Sequence, residues 1–189
     1  MGNLPVSSPF EPGSVNKIIT AATAIELGLT NPEEVLQVPG SINMGGVTVG
    51  DAWSHGVMPY TTTGVFGKSS NVGTLMLAQR IGPDRFYDMV RKFGLGQRTG
   101  VGLPGESSGL VPPIDQWSGS SFSNLPIGQG LSMTLLQMTG MYQAIANDGV
   151  RIPPRIIKEV DGAANPASGA EPVRVMSSET ARTVLDMFR

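Results

Sequence analysis

The sequence predicts a helix-rich domain of the α/β (α+β) class, and three observations carry that expectation. An almost wholly apolar helical segment starts at Ser14. Two more helical runs follow one another between Lys68 and Gly94. Strand-like pieces such as Val47-Thr48-Val49 occur only between glycines and prolines. The bulk numbers fit this picture, because 189 residues with a hydrophobic fraction of 40% suffice for a real core. The 25 glycines and 15 prolines are scattered among apolar segments, which reads as loops between helices rather than disorder. With 13 basic against 15 acidic residues, nothing in the charge balance asks for nucleic acid or an anionic membrane surface. The absence of cysteine excludes a disulfide framework and a thiolate nucleophile. No apolar run reaches the length of a membrane span and no signal-peptide pattern opens the chain, so any anchor is expected outside it.

In chain order, residues 1 to 13 carry Pro5, Pro9 and Pro12 and are expected to be extended. The segment Ser14 to Leu27 is apolar on most sides, with a narrow polar strip at Asn16, Thr20, Thr23 and Glu26, and so predicts a buried helix that Gly28 stops. From Asn31 to Tyr60 glycines and prolines interrupt every pattern, leaving a small hairpin around Val47-Thr48-Val49. Lys68-Ser69-Ser70-Asn71 opens a helix through Val72, Leu75, Met76 and Ala78 that ends at Gly82-Pro83. A second helix from Pro83 carries Phe86, Met89, Val90 and Phe93 and stops at Gly94, giving a helical hairpin.

Gly94 to Pro113 is turn-rich. After Ile127-Gly128-Gln129-Gly130 comes a helix from about Thr134 to Asn147, capped by Thr134 and ended by Asp148-Gly149. Val150 to Val160 contains Pro153-Pro154 and is at best an edge strand. Asp161 to Pro172 reads as a loop. The last segment places Ala181, Val184, Leu185 and Phe188 at helical spacing behind a Ser178 cap.

The chemistry concentrates in Phe10-Glu11-Pro12-Gly13-Ser14-Val15-Asn16-Lys17, the one Ser-x-x-Lys in the chain. Residues three apart share a helix face, so a hydroxyl that needs a base and an amine able to act as one can meet. A serine at a helix N-terminus is placed where backbone N–H groups favour developing negative charge. A lysine inside an apolar helix loses its proton more readily. Locally, a capping serine followed by a snorkelling lysine is an equally good reading. Ser-x-Asn occurs at Ser14-Asn16, at Ser41-Asn43 in a loop, and at Ser69-Asn71 where a strong helix begins, so Ser69 and Asn71 are the pair able to face a cleft, although a capping role fits Ser69 or Ser70 as well. His55 is the single histidine; without a second imidazole or a thiol it gives no metal site, and no Gly-x-Ser-x-Gly elbow supports a triad built on it. No cofactor is expected: Gly128-Gln129-Gly130 lacks the lysine of a phosphate loop, and its glycines suit a close backbone approach instead.

Taken together and in order, Glu11-Pro12-Gly13-Ser14-Val15-Asn16-Lys17, Lys68-Ser69-Ser70-Asn71-Val72-Gly73, Leu103-Pro104-Gly105-Glu106 and Ile127-Gly128-Gln129-Gly130 with the helix after it resemble the transpeptidase domain of penicillin-binding proteins, specifically the monofunctional class B members. The Val15-Asn16 pair, where Thr-Phe is commoner, looks most like the division (septal) type. The resemblance implies the penicillin-binding transpeptidase / serine β-lactamase-like fold, represented here by a helix-rich portion with most of the central antiparallel sheet outside residues 1–189. It implies Ser14 as the nucleophile on a D-Ala-D-Ala stem peptide, Lys17 as its base, Ser69 as the proton relay to the leaving amine, and Asn71 as the group holding Lys17 and the substrate amide. β-lactam antibiotics would block Ser14. It further implies a membrane-anchored protein on the extracytoplasmic face of the bacterial cell membrane, working with a membrane glycan polymerase and other division proteins. One motif of the family is missing: none of Lys17, Lys68, Lys92 and Lys158 begins a Lys-Thr-Gly or Lys-Ser-Gly triplet. The chain is therefore expected to be a partial transpeptidase domain ending before that strand, with half an oxyanion hole. A serine β-lactamase or β-lactam sensor shares the first two motifs, and a non-catalytic interaction module would explain the incomplete site.

Overall fold

The structure is a computed structural model describing residues 2–160, 163–164 and 171–189. Its centre is the apolar segment after Ser14. Residues Gly13–Asn16 form one 3-10 turn and only then does the α-helix begin. The first helices are thus α1 (Leu4–Ser7) and α2 (Lys17–Glu26). All side chains from Lys17 to Ala24 are buried. Three alanines among them, Ala21, Ala22 and Ala24, let neighbours approach closely, and α2 packs against four later helices. Gly28, at φ +63°, ends it as predicted. Residues 1 to 13 depart from the extended reading, because Pro5 sits in the first turn of α1, where its missing N–H costs no hydrogen bond.

Next come β1 (Val35–Val38), β2 (Ser41–Met44), β3 (Val47–Gly50) and β4 (Met58–Thr61). β2 and β3 form the expected hairpin, turning at Gly45-Gly46, both at positive φ as a tight two-residue turn requires. Ser41-Asn43 therefore lies in a strand rather than a loop. β1 pairs antiparallel with β4, with Leu36 and Val38 turned into the core.

A short helix that the sequence pattern does not announce, α3 (Thr62–Gly67), leads into α4 (Asn71–Ile81) and α5 (Pro83–Lys92). The last two are the helical hairpin. Gly82 at φ +82° joins them, and Phe86, Met89 and Val90 are buried on the apolar side of α5. After the turn-rich stretch come α6 (Ser121–Asn124), a 3-10 turn at Leu125–Ile127, and α7 (Leu135–Ala146). Thr134 caps α7 in a reciprocal arrangement with Gln137. The remaining elements are β5 (Val150–Arg151), β6 (Glu159–Val160), β7 (Ala163–Ala164), β8 (Val173–Arg174) and α8 (Ser178–Met187). β5 pairs with β8 and β6 with β7. Most of the loop expected over 161 to 172 lies outside the described residues.

The cap of α8 is Ser177 rather than Ser178, since the Ser177 hydroxyl accepts from the Thr180 N–H. Glu26 at the end of α2 accepts from the Ser177 N–H at 3.0 Å and from its hydroxyl at 3.0 Å, tying the two helices end to end. α8 buries Ala181, Val184 and Met187 instead of Leu185 and Phe188, which stay 38% and 42% exposed. Phe188 meets Phe66 with ring centroids 5.6 Å apart. One core runs from α2 through α4, α5, α7 and α8, with Phe86 fully enclosed and edge-on to Phe122 at 5.8 Å. Truncating that ring leaves a cavity that the surrounding helices cannot close. Phe86→Ala is expected to lower the unfolding free energy by about 3–5 kcal/mol, read from the midpoint of urea denaturation.

Candidate active site

Ser14 and Lys17 belong to different backbone geometries. Ser14 sits in the 3-10 turn with its side chain exposed, and Lys17, which opens α2, is 2% exposed. The Lys17 backbone N–H donates to the Ser14 carbonyl. Among the described residues there is no hydrogen bond between the two side chains. The Lys17 ammonium instead crosses to the turn before α4, where it donates to the Ser69 carbonyl at 2.6 Å and to the Ser69 hydroxyl at 3.0 Å. Ser69 thus meets Lys17 directly through both of its oxygens. Burial pulls the Lys17 ammonium down from its ordinary 10.5 to about 8, against an upward pull from the Asp51 carboxylate. Part of the population is therefore neutral at mildly alkaline pH.

Ser69 adopts φ +54°, a left-handed conformation rare outside glycine. Such a residue costs about 1–3 kcal/mol and persists only where its surroundings over-determine it. They do so here. The Ser69 and Ser70 N–H groups donate to Phe66 and Val65 carbonyls, and the Ser70 hydroxyl accepts from the Gly73 N–H at 2.9 Å, making Ser70 the cap of α4. The Asn71 amide donates to the Gly50 carbonyl at 3.1 Å, which fixes it to the end of β3 rather than to Lys17.

Two further features complete the site, one without a signature in the sequence and one whose glycines announced a close approach but not its partner. The first is Asp51, just after β3. Its carboxylate accepts from the Ser70 hydroxyl at 2.8 Å, from the Val72 N–H at 3.0 Å, and meets His55 Nε2 at 3.0 Å. Burial alone would raise this carboxyl, but the N–H groups of Val72 and Asn71, the Ser70 hydroxyl and His55 outweigh it and hold it below the ordinary carboxylate range. His55 therefore serves Asp51 and does not contact a serine.

The second is the stretch 125–133, which runs along residues 10–16. Phe10 and Met133 exchange backbone hydrogen bonds at 3.0 Å each way. The Glu11 carboxylate accepts from the Gly130 N–H at 3.0 Å, the Gly13 N–H donates to the Gly128 carbonyl at 3.0 Å, and the Asn16 amide donates to the Leu125 carbonyl at 3.0 Å. The Tyr142 hydroxyl donates to the Val15 carbonyl at 3.1 Å. Gly128, at φ +85°, lies so close that a Cβ there would stand 1.9 Å from the Gly13 carbonyl oxygen. The close approach expected of that Gly-x-Gly is onto the residue that precedes Ser14.

Comparison with known proteins follows this geometry. Residues 1–189 match the Transpeptidase family, described as the penicillin binding protein transpeptidase domain. The chain is 79% identical over 192 residues to penicillin-binding protein PbpB of Mycolicibacterium smegmatis, covering 100% of this chain and 30% of that protein. It is 36% identical over 189 residues to peptidoglycan D,D-transpeptidase FtsI of Escherichia coli, again covering 100% of this chain and 30% of that protein. A crystal structure of penicillin binding protein 3 from Mycobacterium tuberculosis complexed with aztreonam superposes with a TM-score of 0.94 at 76% identity, over 98% of this chain and 42% of that one. The same protein has been solved with ampicillin. The chain spans about 30% of the length of the curated relatives it matches.

Two outcomes are expected from the site's geometry. Because Lys17 gives up its proton near pH 8 when folded and near 10.5 otherwise, the unfolded chain binds more protons between those values, so stability rises with pH across that window. Lys17→Met removes that rise, which denaturant melts from pH 7 to 11 would show. Gly128→Ala drives a Cβ into the Gly13 carbonyl and is expected to cost about 2 kcal/mol or more in the same melts.

Proposed function

The chain belongs to the penicillin-binding protein transpeptidase family, and from that premise we propose that it carries the nucleophilic half of a serine D,D-transpeptidase site that cross-links peptidoglycan and is acylated by β-lactams. The observation that carries the reading is the buried Lys17 ammonium bonded to both oxygens of Ser69, one helical turn from an exposed Ser14. Neutral Lys17 takes the proton of the Ser14 hydroxyl as its oxygen attacks the carbonyl carbon of the penultimate D-alanine. The tetrahedral intermediate collapses with cleavage of the peptide bond. The leaving D-alanine amine receives a proton through Ser69, to which Lys17 donates, and the rest of the stem stays on Ser14 as an ester. An amine from a neighbouring stem then attacks the ester and restores the hydroxyl.

A strained β-lactam amide would enter the same way, but its leaving nitrogen stays tethered to the acyl group and blocks the second step. Asn71, two residues after Ser69 and held by the Gly50 carbonyl, would offer its remaining polar groups to the substrate amide. A Lys-Thr-Gly carboxylate clamp is not among these residues, so the domain reading is a partial one: residues 1–189 supply the nucleophile, base and Ser-x-Asn. Deacylation as in a β-lactamase would need a free carboxylate. Glu106 is tied to its own loop instead, with the Thr99 N–H at 2.6 Å and the Thr99 hydroxyl both donating to Oε1. The substrate places the working protein on the extracytoplasmic face of the membrane. None of the described helices is long and apolar enough to cross one.

Labelling of the intact protein with a fluorescent penicillin tests this. The unsubstituted protein is expected to take up a covalent label that survives denaturation, and Ser14→Ala to take up none; label persisting in Ser14→Ala removes Ser14 as nucleophile. Lys17→Ala should slow labelling by about a hundredfold or more, since the hydroxyl loses its base.

A further inference from the structure

Asp51 is a buried carboxylate that the acyl-transfer steps do not use. Its side chain is fully enclosed, and that of its partner His55 is 6% exposed. One oxygen receives the Ser70 hydroxyl and His55 Nε2, and the other receives the Val72 N–H. An ionised carboxylate placed there costs solvation free energy, which these donors offset. What the placement accomplishes lies on either side of it. Toward α4, the donors belong to Ser70, Asn71 and Val72, the residues that follow Ser69, so the carboxylate holds the turn in which Ser69 is left-handed. Toward α2, Asp51 is the one charged group found to act on Lys17 among the described residues.

The other ionisable groups on elements around Lys17 do not compete. Arg80 of α4 pairs with Glu34 at 2.8 Å, and Arg182 and Asp186 of α8 pair with Asp148 and Arg189. Glu11 ahead of Ser14, Lys68 beside the turn and Glu179 of α8 form no ion pair with Lys17 among the described residues.

We propose that Asp51 is a positioning residue for the Ser14 chemistry: its carboxylate pins the Ser69-Ser70-Asn71 turn so that both Ser69 oxygens reach Lys17, and its charge keeps the Lys17 ammonium seated there between proton transfers. His55 supports it by meeting, through Nε2, the same carboxylate oxygen that receives the Ser70 hydroxyl. The proposal rests on Ser14 and Lys17 acting as nucleophile and base. It predicts that geometry and charge at Asp51 separate in a pH profile, which a merely structural residue would not do.

The experiment follows acylation of the intact protein by a fluorescent penicillin from pH 6 to 10, with thermal melts confirming that each variant folds. In the unsubstituted protein the rate is expected to rise with pH through a midpoint near 8, where Lys17 becomes neutral. Asp51→Asn keeps the size and removes the charge, while exchanging one acceptor oxygen for an N–H donor, so the midpoint rather than the plateau is its readout. The midpoint then falls by about half a unit or more, so that the rate at pH 7 relative to its own plateau increases roughly threefold. A midpoint unchanged in Asp51→Asn overturns the proposal. Asp51→Glu provides a second test, since it keeps the charge while pushing the carboxylate off the Ser70 and Val72 donors: the midpoint stays and the plateau falls about tenfold. A plateau equal to that of the unsubstituted protein overturns it too. If the unsubstituted protein takes no label, the reading of Ser14 as nucleophile fails first and the proposal with it; a labelled protein with insensitive Asp51 variants sinks the proposal alone.

Discussion

The burial of one ammonium group organises this molecule. Lys17 opens a helix whose next seven residues are all enclosed, so its side chain can leave the core only toward the turn before α4. An unpartnered charge there would be costly to bury. Two oxygens of a single residue, Ser69, meet it, and the carbonyl among them is available because Ser69 is held at φ +54°. The strain of that conformation and the desolvation of the ammonium are both penalties, and the two hydrogen bonds from Lys17 to Ser69 offset them. Every other arrangement near the site supports this contact: Ser70 capping α4, Asp51 collecting the donors of the turn, and β3 presenting the Gly50 carbonyl to Asn71.

The other wall is built by a second constraint, the need to hold an exposed serine still. Ser14 gains little from its own helix, because the backbone around it is a 3-10 turn rather than the first turn of α2. Rigidity comes from outside. The stretch 125–133 lies alongside residues 10–16, with Gly128 against Gly13 and the Asn16 amide reaching the Leu125 carbonyl. The side-chain amide oxygen of Asn16, Oδ1, is buried with no hydrogen-bond partner among the described residues, a penalty retained two residues from Ser14. A glycine-containing loop thus works as a template for a helix start that lies more than a hundred residues earlier.

Much of the fold was legible without coordinates, because local patterns report local structure. The spacing of Phe86, Met89, Val90 and Phe93 identified the buried side of α5, and Thr134 and Gly28 marked helix ends by capping chemistry that acts within a few residues. The misses have the same origin. A single turn of helix at α1 and the short α3 carry too few residues for a periodicity. The buried stripe of α8 shifted to Met187 because Phe188 found Phe66 on another helix. Of the site, the Ser-x-x-Lys and Ser-x-Asn motifs stood out, and Ser69 does contact Lys17. Asp51 did not stand out, since one aspartate between a strand and a loop looks like any turn residue.

By itself the sequence determined where the longer helices lie, where they stop, and which residue types could serve as nucleophile and base. These follow from interactions within a turn or two of chain. The tertiary structure alone decided that Lys17 turns to Ser69, 52 residues away, rather than to Ser14. It also decided that a carboxylate at Asp51 anchors that turn from 21 residues away, and that Glu11 is fixed by a glycine 119 residues on. The reason is physical. Buried polar groups must find partners wherever packing brings them, and no pattern in the residues nearby encodes which distant segment that will be.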